Sequence, residues 1–234
     1  MKRFSIFLLF LIVGCALNAQ DDYRNYVLSR TMLNGTGTSY LDTITYYDGL
    51  GRPFQTVQKA VSDDKFLNKN LVTLQEYDAA GREWNSWLPT FAGSSDYLAP
   101  ASIKSSAPGN YDNDSRPYSQ PVYEASPLNR LTAQYGPGVA WYNAGRSVKT
   151  EYLLNTNASP LKCIKYGVNS TGGLTGDSTT FYTSGELSVV KTTDEDLNVS
   201  YSFTDKQGHT VLTRQMNNSE EHDTYYIYND KGNL

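Results

Sequence analysis

Residues 46–58 read YYDGLGRPFQTVQ, and this stretch decides the fold. A Tyr-rich run ends at Asp48, whose carboxylate can accept a hydrogen bond from the backbone amide two residues on. Gly51 supplies the positive φ that starts the chain back, and Pro53–Gln58 is polar and strand-prone. The stretch predicts a β-hairpin. Related turns follow in YDAAGREW (77–84), FTDKQGHTVL (203–212) and YNDKGNL (228–234). Asp48, Gly51, Asp78, Gly81, Asp205, Gly208, Asp230 and Gly232 are therefore read as structural turn residues.

Working outward, the composition agrees with hairpins. Nineteen Tyr stand against eight Phe and three Trp, with abundant Thr and Ser, a set that suits pleated, half-buried surfaces better than helices. Upstream, Tyr26-Val27-Leu28 opens a strand and Leu41–Tyr47 returns it, with Ile44 and Tyr46 on one face and Thr45 and Tyr47 on the other. Downstream, strands are expected over Leu71–Tyr77, Glu83–Leu88, Ser147–Leu154, Leu161–Val168, Thr210–Gln215 and Thr224–Tyr228, and over Val199, Tyr201 and Phe203, whose alternation implies one buried face. Val122–Gly138, with Tyr123-Glu124 and Arg130, looks like an expanded version of the same unit. Residues 92–120 are rich in Gly, Ser, Pro, Asn and Asp and form a long connection, with one helical turn near Ala101–Ser106. The fold class is mainly β: antiparallel hairpins in a twisted sheet or partial repeat shell, with one long irregular loop and little helix. Tyr rings spread along such a sheet would stabilise an extended wall without a compact core.

At the N-terminus, Lys2-Arg3, an apolar run from Phe4 to Val13 and Leu17-Asn18-Ala19 read as a secretory signal peptide cut after Ala19. The run is too short to span a membrane. A rival cut would make Cys15 the lipidated first residue, after Ile12-Val13-Gly14. The Ala19 cut is preferred because Ile, not Leu, stands three before the cysteine. The expected location is secreted or cell-surface. The expected domains are 1–19, signal peptide; 20–140, an N-terminal β domain; and 141–234, repeat-like hairpins. Cys163 is then the one cysteine left, so no internal disulfide forms, and its LKCIKY setting suggests a buried, inert thiol.

Net charge is -4 without long runs of either sign, which argues against nucleic acid as a partner. His209 and His222 are the only histidines, and no hydrolase, metalloprotease or phosphate-loop motif is present. Asp194-Glu195-Asp196 lies in one short turn, which cannot hold two carboxylates on opposite sides of a scissile bond. Asp112, Asn113 and Asp114 lack the spacing of a calcium loop. No catalytic residue, metal or cofactor is expected. Trp84, Trp87 and Trp141 are the candidates for a ligand-binding aromatic surface, against the alternative that they pack in the sheet.

YDGLGR, YDAAGR and YNDKGNL resemble the YD repeats of Rhs-type proteins, the teneurins and the shells of insecticidal toxin complexes. Residues 23–138, with YYDGLGRP, EYDAAGREW and PVYEASPLNR, are similar to the uncharacterised domain that precedes such repeats in secreted bacterial Rhs proteins. The resemblance implies a β-sheet spiralling into a shell around a C-terminal effector, which this chain lacks. It also implies a non-catalytic front piece, from a truncated or longer protein, whose partner is the remainder of the shell or another β edge. The alternative is a secreted or surface-anchored carbohydrate-binding or adhesion module, with a surface glycan as partner.

Overall fold

The computed structural model describes residues 25–61, 69–93, 96–229 and 231–234. The signal peptide, Cys15 and Asp230 lie outside the described residues. Among the described residues the protein is mainly β, with 47% strand against 8% helix. The first five strands are β1 (Asn25–Met32), β2 (Tyr40–Tyr47), β3 (Pro53–Val61), β4 (Lys69–Tyr77) and β5 (Glu83–Ala92). A helical connection follows: α1 (Pro100–Ser106) and a 3-10 turn over Ala107–Asn110. Next come β6 (Tyr118–Tyr123), β7 (Leu131–Tyr135), the short helix α2 (Val139–Asn143) and β8 (Val148–Leu154). The pair β9 (Gly167–Val168) and β10 (Leu174–Thr175) stands apart. The chain ends with β11 (Ser188–Thr193), β12 (Val199–Thr204), β13 (Thr210–Asn217) and β14 (Glu220–Tyr225).

Twelve strands form one antiparallel sheet in the order β1-β2-β3-β4-β5-β6-β7-β8-β11-β12-β13-β14. Sequence neighbours are therefore spatial neighbours except where the chain leaves the sheet between β8 and β11. Alternation sets the faces as expected: Ile44 and Tyr46 are buried while Thr45 and Tyr47 are half-exposed, and Tyr201 and Phe203 point into a core.

That core corrects the expectation of a coreless wall. One cluster gathers Ile44, Tyr46, Val57, Val72, Leu74 and Trp87 under Ile103 and Ala107 of the helical connection. The side-chain amide of Gln55, itself buried, anchors this cover. Its Nε2 donates to the Leu98 carbonyl at 2.7 Å, and the Leu98 amide donates back to Oε1 at 3.2 Å. The stretch expected as an irregular loop is thus a roof over the sheet. A second cluster holds Cys163, Leu187, Val189, Tyr201, Phe203, Val211 and Leu212, with the excursion between β8 and β11 packed against it. Leu161–Val168, expected as a strand, contributes only an isolated bridge from Ile164 to Phe181 and the two residues of β9. Leu161 and Cys163 serve burial at the second cluster, and the segment adds no strand to the twelve-stranded sheet. Conversely, Ser188–Thr193 was not expected as a strand, yet β11 pairs along its whole length with both β8 and β12.

No helix among the described residues is long and apolar enough to cross a membrane.

Candidate functional site

The repeated turns stand on one edge of the sheet, because β2, β4, β6, β12 and the segment after β14 all run toward it. In the first turn Oδ1 of Asp48 accepts the amides of Leu50 and Arg52, each at 2.9 Å, and Oδ2 accepts Arg52 Nε at 2.8 Å. The Gly51 amide donates to the Asp48 carbonyl at 3.0 Å, the Asp48 amide donates to the Arg52 carbonyl at 2.9 Å, and Gly51 has φ +78°. This is a type I turn closed by a left-handed residue, a three-residue hairpin loop. The turn at Asp78 repeats every bond, with Ala80, Arg82 and Gly81 in the same roles.

Four further acidic or amide side chains accept the amides two and four residues on: Asn169, Asp194, Asp205 and Asn229. In each the third residue on has positive φ: Gly172, Leu197, Gly208 and Gly232. In the last turn Asn229 is the acceptor. The signal was available, since Asn229 stands three before Gly232 as Asp48 stands three before Gly51. The expanded turn substitutes Glu124, which takes Arg130 Nε and Nη2 and the Ser126 hydroxyl, with Asn129 as the positive-φ residue.

The turns that share the edge interlock. The guanidinium carbon of Arg52 lies 4.1 Å from the ring centroid of Tyr77, that of Arg82 lies 4.5 Å from Tyr123, and that of Arg130 lies 4.5 Å from Tyr152. His209 takes the same position against Tyr228, with centroids 4.5 Å apart and rings 17° from parallel. Tyr77, Tyr123 and Tyr152 each belong to the strand next in line, so the guanidinium of one turn sits on a ring of the next strand running toward that edge, while Tyr228 lies just beyond the end of β14. Further bonds cross the same gap: Arg52 Nη1 to the Gly81 carbonyl at 3.0 Å, Tyr77 hydroxyl to the Pro53 carbonyl at 2.7 Å, and Arg82 Nη1 to Asn129 Oδ1 at 3.2 Å.

The rim carboxylates are held ionised. Backbone amides of Arg52 and Arg82 lower the pKa of Asp48 and Asp78; at the opposite edge, in the turn between β11 and β12, the Asn198 side chain lowers Asp194. The guanidinium of Arg130, then the Ser126 hydroxyl, hold Glu124 at about 2. Such groups are poor proton donors or acceptors near neutrality.

The tryptophans do not share a surface. Trp87 is 9% exposed in the first core cluster, and its indole donates to Glu76 Oε2 at 2.9 Å. Trp84 is half-buried and lines a shallow groove with Gln75, Ser86 and Tyr123. Trp141 is 48% exposed on α2, with the Arg146 guanidinium carbon 5.3 Å from its ring centroid. Cys163 is buried and its thiol is pushed up to about 12, chiefly by burial. Asp114 accepts the amides of Arg116 and Val139, and no group of three or more His, Cys, Asp or Glu among the described residues could hold a metal.

Residues 20–154 match the model of a domain of unknown function, DUF6443. No curated protein matches the chain.

Proposed function

The chain belongs to the DUF6443 family, and on that premise we propose that it is a non-catalytic, exported structural scaffold. It acts as the front piece of an Rhs-type YD-repeat shell that would encapsulate or deliver an effector carried after the repeats. One observation carries the reading: in three successive hairpins the arginine that closes the turn stacks on a tyrosine of the strand that follows in the sheet, and the His209 ring repeats the stack on Tyr228. A contact that hands on from hairpin to hairpin permits extension without redesign, which a repeat wall requires. The rim groups are spent on one another, with carboxylates bonded to amides and guanidinium groups, and this suits a scaffold better than a reaction centre.

Sequencing the DNA that follows the Leu234 codon, in every frame, tests the reading. Continued Tyr-Asp hairpins are expected, and an unrelated neighbouring gene would overturn it. Export is tested by mass spectrometry of the protein from cell fractions: a mature start at Gln20 is expected, and a lipid on Cys15 would place the chain on a membrane surface instead.

The exposure of Trp141 and the groove beside Trp84 favour a second reading, a carbohydrate-binding or adhesion module. Binding on a glycan array that is lost in Trp84→Ala or Trp141→Ala would support it over the shell.

A further inference from the structure

β1 ends the sheet, and all eight of its residues are exposed. Tyr26, Leu28 and Met32 are 60%, 53% and 57% exposed. The register sets Tyr26 opposite Tyr46 and Leu28 opposite Ile44, so these side chains share the face of the first core cluster. Among the described residues nothing covers the apolar face where it runs off this edge. The only charge on the strand, Arg30, is neutralised by Asp42 within the same chain, with bonds of 2.6 and 2.8 Å. At the other end β14 carries Glu220, Glu221 and Asp223, the kind of charge that keeps an edge from pairing with its like.

We propose that β1 is a self-association edge, through which two copies of this chain pair antiparallel about a two-fold axis at Leu28. Residues directly opposite across a strand pair share a face. A register centred on Leu28 therefore keeps the covered face of both copies on one side and joins their apolar rows. It places Tyr26 of one copy opposite Arg30 of the other, twice. That repeats the aromatic–guanidinium pairing this chain uses at Arg30 with Tyr40, Arg52 with Tyr77 and Arg82 with Tyr123. Among the described residues no like charges stand directly opposite, whereas β14 against β14 would crowd carboxylates. The contact is isologous, so it closes at two copies and cannot run on into a fibre. The inference is independent of the scaffold reading, because a free-standing module would carry the same edge.

Sedimentation velocity on the exported chain, Gln20 onward, tests this over a concentration series. A dimer is expected. Leu28→Lys places two ammonium groups at the axis and should raise the dissociation constant at least about ten-fold. Leu28 is exposed, so the variant should keep its circular dichroism spectrum. Leu28→Cys should give a disulfide-linked dimer on oxidation, since directly opposed residues fall within disulfide reach. Glu220→Cys on the other edge should not, and the buried Cys163 stays silent. A monomer at every concentration, a dimer indifferent to Leu28→Lys, or cross-linking through Glu220→Cys would each overturn the proposal.

Discussion

Arg52 is shared between two turns: its guanidinium carbon sits 4.1 Å from the Tyr77 ring centroid while its Nη1 donates to the Gly81 carbonyl at 3.0 Å. Its Nε meanwhile holds Asp48. One side chain thus closes its own hairpin and fixes the position of the next. Tyr77 should be worth more than its buried area. Tyr77→Leu loses the cation–π contact and the hydroxyl bond to Pro53, a destabilisation of about 1–2 kcal/mol. Urea unfolding of the two proteins checks this, and a loss no larger than a few tenths would deny the ladder any energetic role.

Leu197 holds a position that glycine holds in five of the six related loops, at φ +71° and 75% exposed. A side chain there costs about 1–2 kcal/mol of backbone strain and packs against little. Leu197→Gly should therefore stabilise the protein, by about 0.5–1 kcal/mol after the added freedom of the unfolded chain is subtracted. A raised melting temperature is the expected result.

Gly51 and Gly81 share one conformation but not one neighbourhood. A Cβ at Gly51 meets nothing within 4 Å, whereas at Gly81 it would stand 2.9 Å from Arg52 Nη1. Gly51→Ala should show backbone strain alone, about 1 kcal/mol. Gly81→Ala should cost more, because it also pushes away the guanidinium that ties the turns together. Replacing Arg52 by Ala should remove the difference, as a double-mutant cycle would measure.

Arg214 is buried in the second half of the sheet. Its Nε and Nη2 each donate to the Asp223 carboxylate at 2.7 Å, and Nη1 donates to the Pro160 carbonyl at 2.7 Å. Because Glu221 Oε2 also lies 3.0 Å from Arg214 Nη2, only the joint replacement Asp223→Ala with Glu221→Ala would strand a buried cation and should cost about 3–5 kcal/mol, whereas Arg214→Met, which removes the charge and fills the space, should cost less. Chemical denaturation of both variants gives the comparison.

Acid should weaken the rim. Glu124, Asp48 and Asp78 have folded pKa values below their ordinary ones. Their contribution is complete above the unfolded pKa, near 4 to 4.5, and is lost as pH falls through the folded value, about 2 for Glu124. Urea midpoints should therefore decline between about pH 4.5 and 2. Glu124→Gln should flatten that decline.

The hairpins were legible because their determinants lie within five residues. Asp48 reaches the amides of Leu50 and Arg52, and Gly51 sits between, so spacing alone specifies the turn. At Asp194 the sequence shows a short acidic turn but not its kinship with the others, because Leu197 stands where they carry glycine. Alternation in Val199–Phe203 was legible for the same local reason. Leu161–Val168 misled because apolar residues under a sheet and apolar residues in a strand satisfy burial equally well.

The sequence by itself determined that this chain folds back on itself repeatedly, since a side-chain acceptor, a left-handed residue and β-prone flanks act over a few bonds. Only the tertiary structure decided what the tyrosines touch. Arg52 and Tyr77 are 25 residues apart, Arg82 and Tyr123 are 41 apart, and no local rule selects such partners. It likewise decided that Trp87 faces the core while Trp84 lines a groove, through the register of β5 against β4, which is irregular between Gln75 and Tyr77. It also decided that residues 96–110 roof the first cluster, because Gln55 has to find Leu98 across 43 positions of chain. Burial and cross-strand contact depend on which strands end up adjacent, and adjacency belongs to the assembled sheet.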